Sequence, residues 1–229
     1  MIRIDKYISS MTDYSRNDVK KLIKNKKIKV NNVFINKIIN INQADKIFVN
    51  EQLLIEKPKY IYLLMNKPKG YICANNDKIN HTVFDLLDSY YLTYKGLHTV
   101  GRLDKDTEGL LIITNDGEFT HNVLKISNKH IHKTYYVTVD KELDNSLINE
   151  FKNGVNLNDF VSKSSKLKII DKYNCYITIS EGKYHQVKRM FLKFGYKVKY
   201  LNRVKFGKLC LPRELKTGQY KEIKLSDVI

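Results

Sequence analysis

A short polar break, Glu56-Lys57-Pro58-Lys59, separates a lysine-rich stretch from the apolar run at residues 60–65 and constrains the chain to fold as two unequal units. A proline among charges has its φ fixed and no N–H to give, so it suits a linker better than a helix interior or a central strand. The 229 residues suffice for one full core plus a small satellite, here residues 1–57 and 58–229. Up to Lys59 there are 13 basic and 6 acidic residues, a net of +7, which leaves +10 of the total +17 for the other 170 residues. Positive charge is therefore about twice as dense in the small unit.

That excess points to a polyanionic partner. No apolar run approaches the ~20 residues of a transmembrane helix, and residues 1–10 alternate charged with apolar side chains, unlike a signal peptide, so a membrane is not the expected partner. Cys73, Cys175 and Cys210 are odd in number and far apart, which fits a reduced, cytoplasmic protein without a zinc site. His130-Ile131-His132 lacks a nearby Cys or acidic pair of metal-site spacing, so no metal is expected. Neither GxxxxGK[ST] nor GxGxxG occurs, which leaves a nucleotide cofactor unsupported, and there is no GxSxG elbow. Nothing argues for a stable oligomer, so a monomer is the default.

In the small unit, Ser15 precedes a predicted amphipathic helix over residues 16–27, with Val19, Leu22 and Ile23 on one face and Arg16, Lys20, Lys24 and Lys27 on the other. Residues 28–31 then alternate and turn at Asn31-Asn32 into Val33-Phe34-Ile35, predicting a hairpin. The large unit reads as many strands and few helices: strands over residues 60–66, 110–114, 134–139 and 175–180, and one clear helix over 184–194. In that helix Val187, Met190, Phe191 and Phe194 form the apolar stripe, and His185, Lys188 and Arg189 share another face. The expected class is α+β, with a large mixed, mostly antiparallel sheet and flanking helices.

The densest cluster is Val100-Gly101-Arg102-Leu103-Asp104-Lys105-Asp106-Thr107-Glu108-Gly109-Leu110-Leu111-Ile112, charges between two glycines just before an apolar strand. Such a loop can aim a carboxylate into a cleft at a sheet edge. By residue type alone, Asp104 and Asp106 fit Asx-turn or capping positions, the commoner role of an Asp in a glycine-rich loop. Residue for residue, however, the segment resembles the catalytic motif of the pseudouridine synthases that act on bacterial ribosomal RNA. Asn66-Lys67-Pro68-Lys69-Gly70-Tyr71, Thr114-Asn115-Asp116-Gly117, Lys133-Thr134-Tyr135 and Glu181-Gly182-Lys183-Tyr184-His185-Gln186-Val187-Lys188-Arg189-Met190 extend the resemblance. Residues 1–57 resemble the S4-like RNA-binding module through Arg3-Ile4-Asp5-Lys6-Tyr7-Ile8, Ser15-Arg16 and Ile28-Lys29-Val30-Asn31. Residues 143–172 carry no sharp motif.

The resemblance implies a cofactor-free isomerase in which Asp104 is the essential carboxylate, Tyr135 lines the site against the target base and Lys188 pairs with Asp104. Lys188 stands where relatives commonly have Arg, which keeps the charge but loses the bidentate fork. Arg102, His185, Gln186 and Arg189, together with Arg3, Lys6, Arg16, Lys20 and Lys24 of the small unit, are expected to contact RNA. The form His-Gln-Val-Lys-Arg-Met points to a small-subunit (16S) ribosomal RNA substrate, free or partly assembled, where the family site is U516. Two alternatives stay open: a large-subunit (23S) substrate, and a non-catalytic RNA-binding ribosome-assembly factor.

Overall fold

A computed structural model of the chain describes residues 1–12, 14–42, 44–54, 58–124 and 131–228. Glu56 and Lys57 of the expected linker, and His130 of the His-x-His pair, lie outside the described residues. The chain divides into two compact units, Met1–Lys59 and Tyr60–Ile229.

The first unit comprises β1 (Ile2–Arg3), α1 (Ile4–Met11), α2 (Arg16–Lys24), β2 (Ile28–Val30), β3 (Val33–Phe34), β4 (Asn40–Ile41), β5 (Ile47–Val49) and β6 (Gln52–Leu53). The last strands form an antiparallel sheet in the order β3-β2-β5-β6, and β1 pairs with β4. A reciprocal cap starts α2: the Asp18 N–H donates to Ser15 Oγ at 3.2 Å and the Ser15 N–H to the Asp18 carboxylate at 3.1 Å. The helix stops at Lys24, three residues short of the predicted end. Asn25-Lys26-Lys27 offers no apolar residue to extend the stripe, and Lys26 turns left-handed with φ 51°. Asn31 and Asn32, at φ 49° and 68°, make the tight turn expected between β2 and β3, a conformation that asparagine tolerates. Ile4, Ile8, Val19, Ile23, Ile28 and Ile47 fill the small core.

The second unit contains β7 (Tyr62–Lys67), α3 (Ser89–Leu92), β8 (His98–Thr99), β9 (Glu108–Thr114), α4 (Gly117–Leu124), β10 (Lys133–Val139), α5 (Leu147–Asn153), β11 (Lys166–Ile169), β12 (Asn174–Ile179), α6 (Gln186–Lys193), β13 (Val198–Phe206), β14 (Leu209–Cys210) and β15 (Tyr220–Glu222). The sheet runs β11-β12-β10-β13-β9-β7-β15, with β8 added on β9 and β14 on β13. Every pairing is antiparallel except β13 with β9, which makes the sheet mixed and mostly antiparallel as expected.

Both faces of β9 are covered, which explains its unbroken apolar run. Leu111 and Ile113 join a large core with Phe151 of α5 and Met190 and Phe191 of α6; Leu110 and Ile112 join a second core with Phe119 and Val123 of α4. The helices α3, α4 and α5 exceed the sequence expectation. Asp116 begins α4 by accepting the Phe119 N–H at 2.9 Å and the Tyr62 hydroxyl at 2.6 Å.

Candidate active site

The loop from Gly101 to Gly109 crosses to the sheet as β9 begins, and two features hold it. Gly109 lies where β9 runs parallel to β13 at φ 102°, and a Cβ there would stand 2.2 Å from Asn202 Oδ1 and 2.4 Å from the Arg203 carbonyl. Only glycine fits that approach. Lys67, at the end of β7, is fully buried, and its ammonium donates to the carbonyls of Pro68 at 3.0 Å, Asp104 at 3.1 Å and Thr107 at 2.8 Å. Burial pulls the Lys67 pKa below its ordinary value, but the carbonyls gather around the charge and pin the loop from beneath. Cys73 adds a weaker tie, with Sγ 3.4 Å from the Leu103 nitrogen.

So held, Asp104 presents a part-exposed carboxylate. Lys188, from the first turn of α6, donates to Asp104 Oδ2 at 3.0 Å and to Asp106 Oδ1 at 2.5 Å. Burial opposes charge at Asp106 and at Lys188, but the hydrogen bonds and mutual attraction win: the Asp106 carboxyl lies below and the Lys188 ammonium above its ordinary pKa. His185 Nε2 stands 3.5 Å from Asp104 Oδ1. His185 occupies the cap of α6 in a left-handed conformation at φ 48°, and its ring stacks on Tyr184 with centroids 3.9 Å apart.

Asp104 borders a cavity of about 650 Å³, lined also by Arg102, Lys133, Tyr135, Glu181 and Arg203. A smaller cleft of about 80 Å³ beside it is lined by Asp104, Tyr135 and Lys188. Strand alternation puts Tyr135 on the buried face of β10 with Val137, opposite Arg203 of β13, and the register shifts just before it, between Thr134 and Tyr135. Its neighbour Tyr136 faces the other side, where its ring meets those of Tyr176 and Tyr200. A carboxylate paired with a lysine at the edge of a cation-lined cavity, with an aromatic wall, can receive a nucleotide base and stabilise positive charge on its sugar.

Residues 61–193 match the RNA pseudouridylate synthase family. The ribosomal small subunit pseudouridine synthase A of Haemophilus influenzae is 36% identical over 230 residues, covering 99% of this chain and 98% of that protein. The protein of the same name from Escherichia coli K12 is 33% identical over 235 residues, with 99% and 98% covered. A crystal structure described as a pseudouridylate synthase matches with a TM-score of 0.70 at 34% identity, covering 100% of this chain and 98% of that one. The chain belongs to the RNA pseudouridylate synthase family.

Within this pseudouridine synthase, Asp104, Tyr135 and Lys188, the expected catalytic residues, converge on the adjoining cavities, and so do Arg102 and His185, expected to contact RNA. Three residues expected to contact RNA have partners within the protein. Gln186 lines the small cleft, but its buried amide accepts the Lys183 N–H at 3.0 Å and donates to Glu181 at 2.7 Å, which leaves it a strut between β12 and α6. Arg189 turns away from the cavity: its guanidinium pairs with Asp159 and donates to the Leu157 carbonyl at 3.0 Å, tying α6 to residues 157–160. In the first unit Lys6, Arg16, Lys20 and Lys24 are exposed, while Arg3 spends its guanidinium on Asp5 at 3.1 and 2.9 Å. Sequence reading gave no role to Lys67, Lys133 or Arg203. Lys67 and Lys133 stood in segments that resembled the family, and that position was the available signal; Arg203 had none.

Proposed function

We propose that this enzyme converts a uridine of small-subunit (16S) ribosomal RNA, the family site U516, to pseudouridine with Asp104 as its catalytic carboxylate. The observation that carries the reading is the Asp104 carboxylate, paired with Lys188 at 3.0 Å on the edge of a cavity of about 650 Å³. Isomerisation breaks the bond from ribose C1′ to uracil N1, turns the base in place and joins C1′ to C5; nothing enters or leaves, so one carboxylate and a pocket that retains the base suffice. The target nucleotide flips out of its stack at a cost of a few kcal/mol, offset by base and backbone contacts. Tyr135 then stacks on the base. Lys188 orients the Asp104 carboxylate through their 3.0 Å contact, and Asp104 acts either as nucleophile or as electrostatic partner and base for the sugar intermediate.

The first unit serves as an S4-like RNA-binding domain. Lys6, Arg16, Lys20 and Lys24, with Arg102 beside the cavity, contact phosphates and position the RNA without reading its sequence. The small-subunit substrate is favoured by the names of the full-length relatives and by the His-Gln-Val-Lys-Arg-Met string. The test incubates the protein with small-subunit and large-subunit ribosomal RNA, protein-free and partly assembled, and maps pseudouridine by carbodiimide modification and reverse transcription. One new stop at U516 is expected. A stop only in large-subunit RNA overturns the substrate assignment, and binding without any stop overturns the catalytic reading.

A further inference from the structure

Arg102, Lys133, Lys183 and Arg203 line the cavity beside Asp104 and take no part in the Asp104, Asp106 and Lys188 ion pairs; two of them, Lys133 and Arg203, lie against one ring, that of Phe206. Lys133 opens β10, and Arg203 lies opposite Tyr135 on β13. Arg203 is only 2% exposed; its Nε donates to the Leu110 carbonyl at 2.7 Å, while its buried Nη2 has no hydrogen-bond partner. Lys133 is half-buried and reaches one carbonyl, that of Ile131, at the long distance of 3.5 Å. Both cations lie against the Phe206 ring, at 5.7 Å for Lys133 Nζ and 5.3 Å for Arg203 Cζ.

Acidic groups do not neutralise this floor. The carboxylates lining the cavity are Asp104, held by Lys188, and Glu181, whose Oε1 already accepts the Lys163 N–H at 2.9 Å and the Gln186 amide at 2.7 Å. Burial, and next the charge of Arg203, pull the Lys133 ammonium down to about 8 despite Glu181. A buried cationic N–H without an acceptor is costly, a cost that persists in a fold when a ligand supplies the acceptor. The missing partner is an oxygen bearing negative charge. An RNA phosphodiester is tethered to the chain on both sides and stays near the surface, whereas a flipped base can reach an arginine buried this deeply.

We propose that Lys133 and Arg203 are catalytic residues that hold the O2 and O4 oxygens of uracil while the base is detached from its ribose. This rests on the reading of Asp104 as the carboxylate that serves the sugar. When C1′–N1 breaks, the bonding pair leaves on N1, and the uracil anion spreads that charge over O2 and O4. The complementary positive charge on the ribose is met by Asp104. After the base turns, a pair from C5 forms the C1′–C5 bond, H5 departs as a proton and N1 takes one up, so the product is an isomer and the two cations lose no proton. Their stabilisation is greatest when the base is free, which is what lowers a barrier rather than merely tightening binding.

The test measures, for Lys133→Met in the full chain, the single-turnover rate of pseudouridine formation and separately the RNA Kd. The rate is expected to fall about 10²-fold, as for removal of one oxyanion donor, with Kd unchanged and partial recovery in Lys133→Arg. Thermal unfolding checks that the variant is native; if it is not, Lys133→Gln, which keeps a donor but removes the charge, takes its place with the same expectation. A wild-type rate overturns the proposal, as does a loss confined to Kd, which marks a phosphate contact. Asp104→Asn run in parallel separates the two readings: if it turns over, the role of Asp104 fails, whereas an inert Asp104→Asn beside a fully active Lys133→Met removes this inference alone.

Discussion

Replacing Lys67 with methionine tests whether a buried ammonium organises the catalytic loop. The side chain keeps its length and burial but loses the donors that hold the carbonyls of Pro68 at 3.0 Å, Asp104 at 3.1 Å and Thr107 at 2.8 Å. The Lys105 carbonyl, at 3.5 Å, is spared because it also accepts the Gly70 N–H at 2.7 Å. Three charge-assisted bonds at roughly 1.5–3 kcal/mol each, less the gain from no longer keeping an ammonium out of water, leave a net loss of about 3 kcal/mol. For a unit of this size each kcal/mol moves the Tm by roughly 2–4 °C, so the melting temperature should drop by about 6–12 °C. Turnover well below that temperature should also fall at least ~10-fold, because the backbone that bears the Asp104 carboxylate loses its anchor. Calorimetry and single-turnover assays read the two effects. A variant that melts and turns over like the wild type would refute the clamp.

Gly109→Ala places a methyl 2.2 Å from Asn202 Oδ1 and 2.4 Å from the Arg203 carbonyl in a left-handed backbone, so chemical denaturation should show a loss of at least ~3 kcal/mol; native stability would contradict the packing of β9 on β13. Lys133 loses its proton near pH 8, with Arg203, Arg102, Lys183, Glu181, Asp104, His185, Tyr135, Tyr184 and Cys73 as the charged or titratable groups around the cavity, so the chemical rate should decline as pH rises through that value. A rate that climbs steadily past it speaks against a cationic role. Lys20→Ala and Lys24→Ala should each reduce the slope of log Kd against log salt by about one and leave the chemical rate untouched; unchanged slopes would take α2 off the RNA.

Much of the large unit was legible because its strands alternate or run apolar without interruption, and Asp104, Tyr135 and Lys188 stood in dense motifs. What escaped shows the limits of periodicity. The α5 helix carries its apolar signal in Leu147, Ile148 and Phe151 alone, a stripe too short to stand out among Asn and Asp. Lys67 precedes a proline and reads as a loop cation, whereas the fold buries it completely. Arg203 stands among Asn202, Val204 and Lys205 like any surface charge; strand alternation puts it on the buried face of Leu201, opposite Tyr135, but a charged residue at such a position reads as exposed. The partners that engage Gln186 and Arg189 were hidden for the converse reason: Glu181 and Asp159 lie close only after α6 packs.

The most direct test of the central claim is the turnover of Asp104→Asn on ribosomal RNA that the wild type modifies, with RNA affinity measured on the same preparation. The substitution keeps the size of the side chain and removes its charge. The account predicts no detectable pseudouridine and an unchanged Kd, whereas turnover within an order of magnitude of the wild type would contradict it.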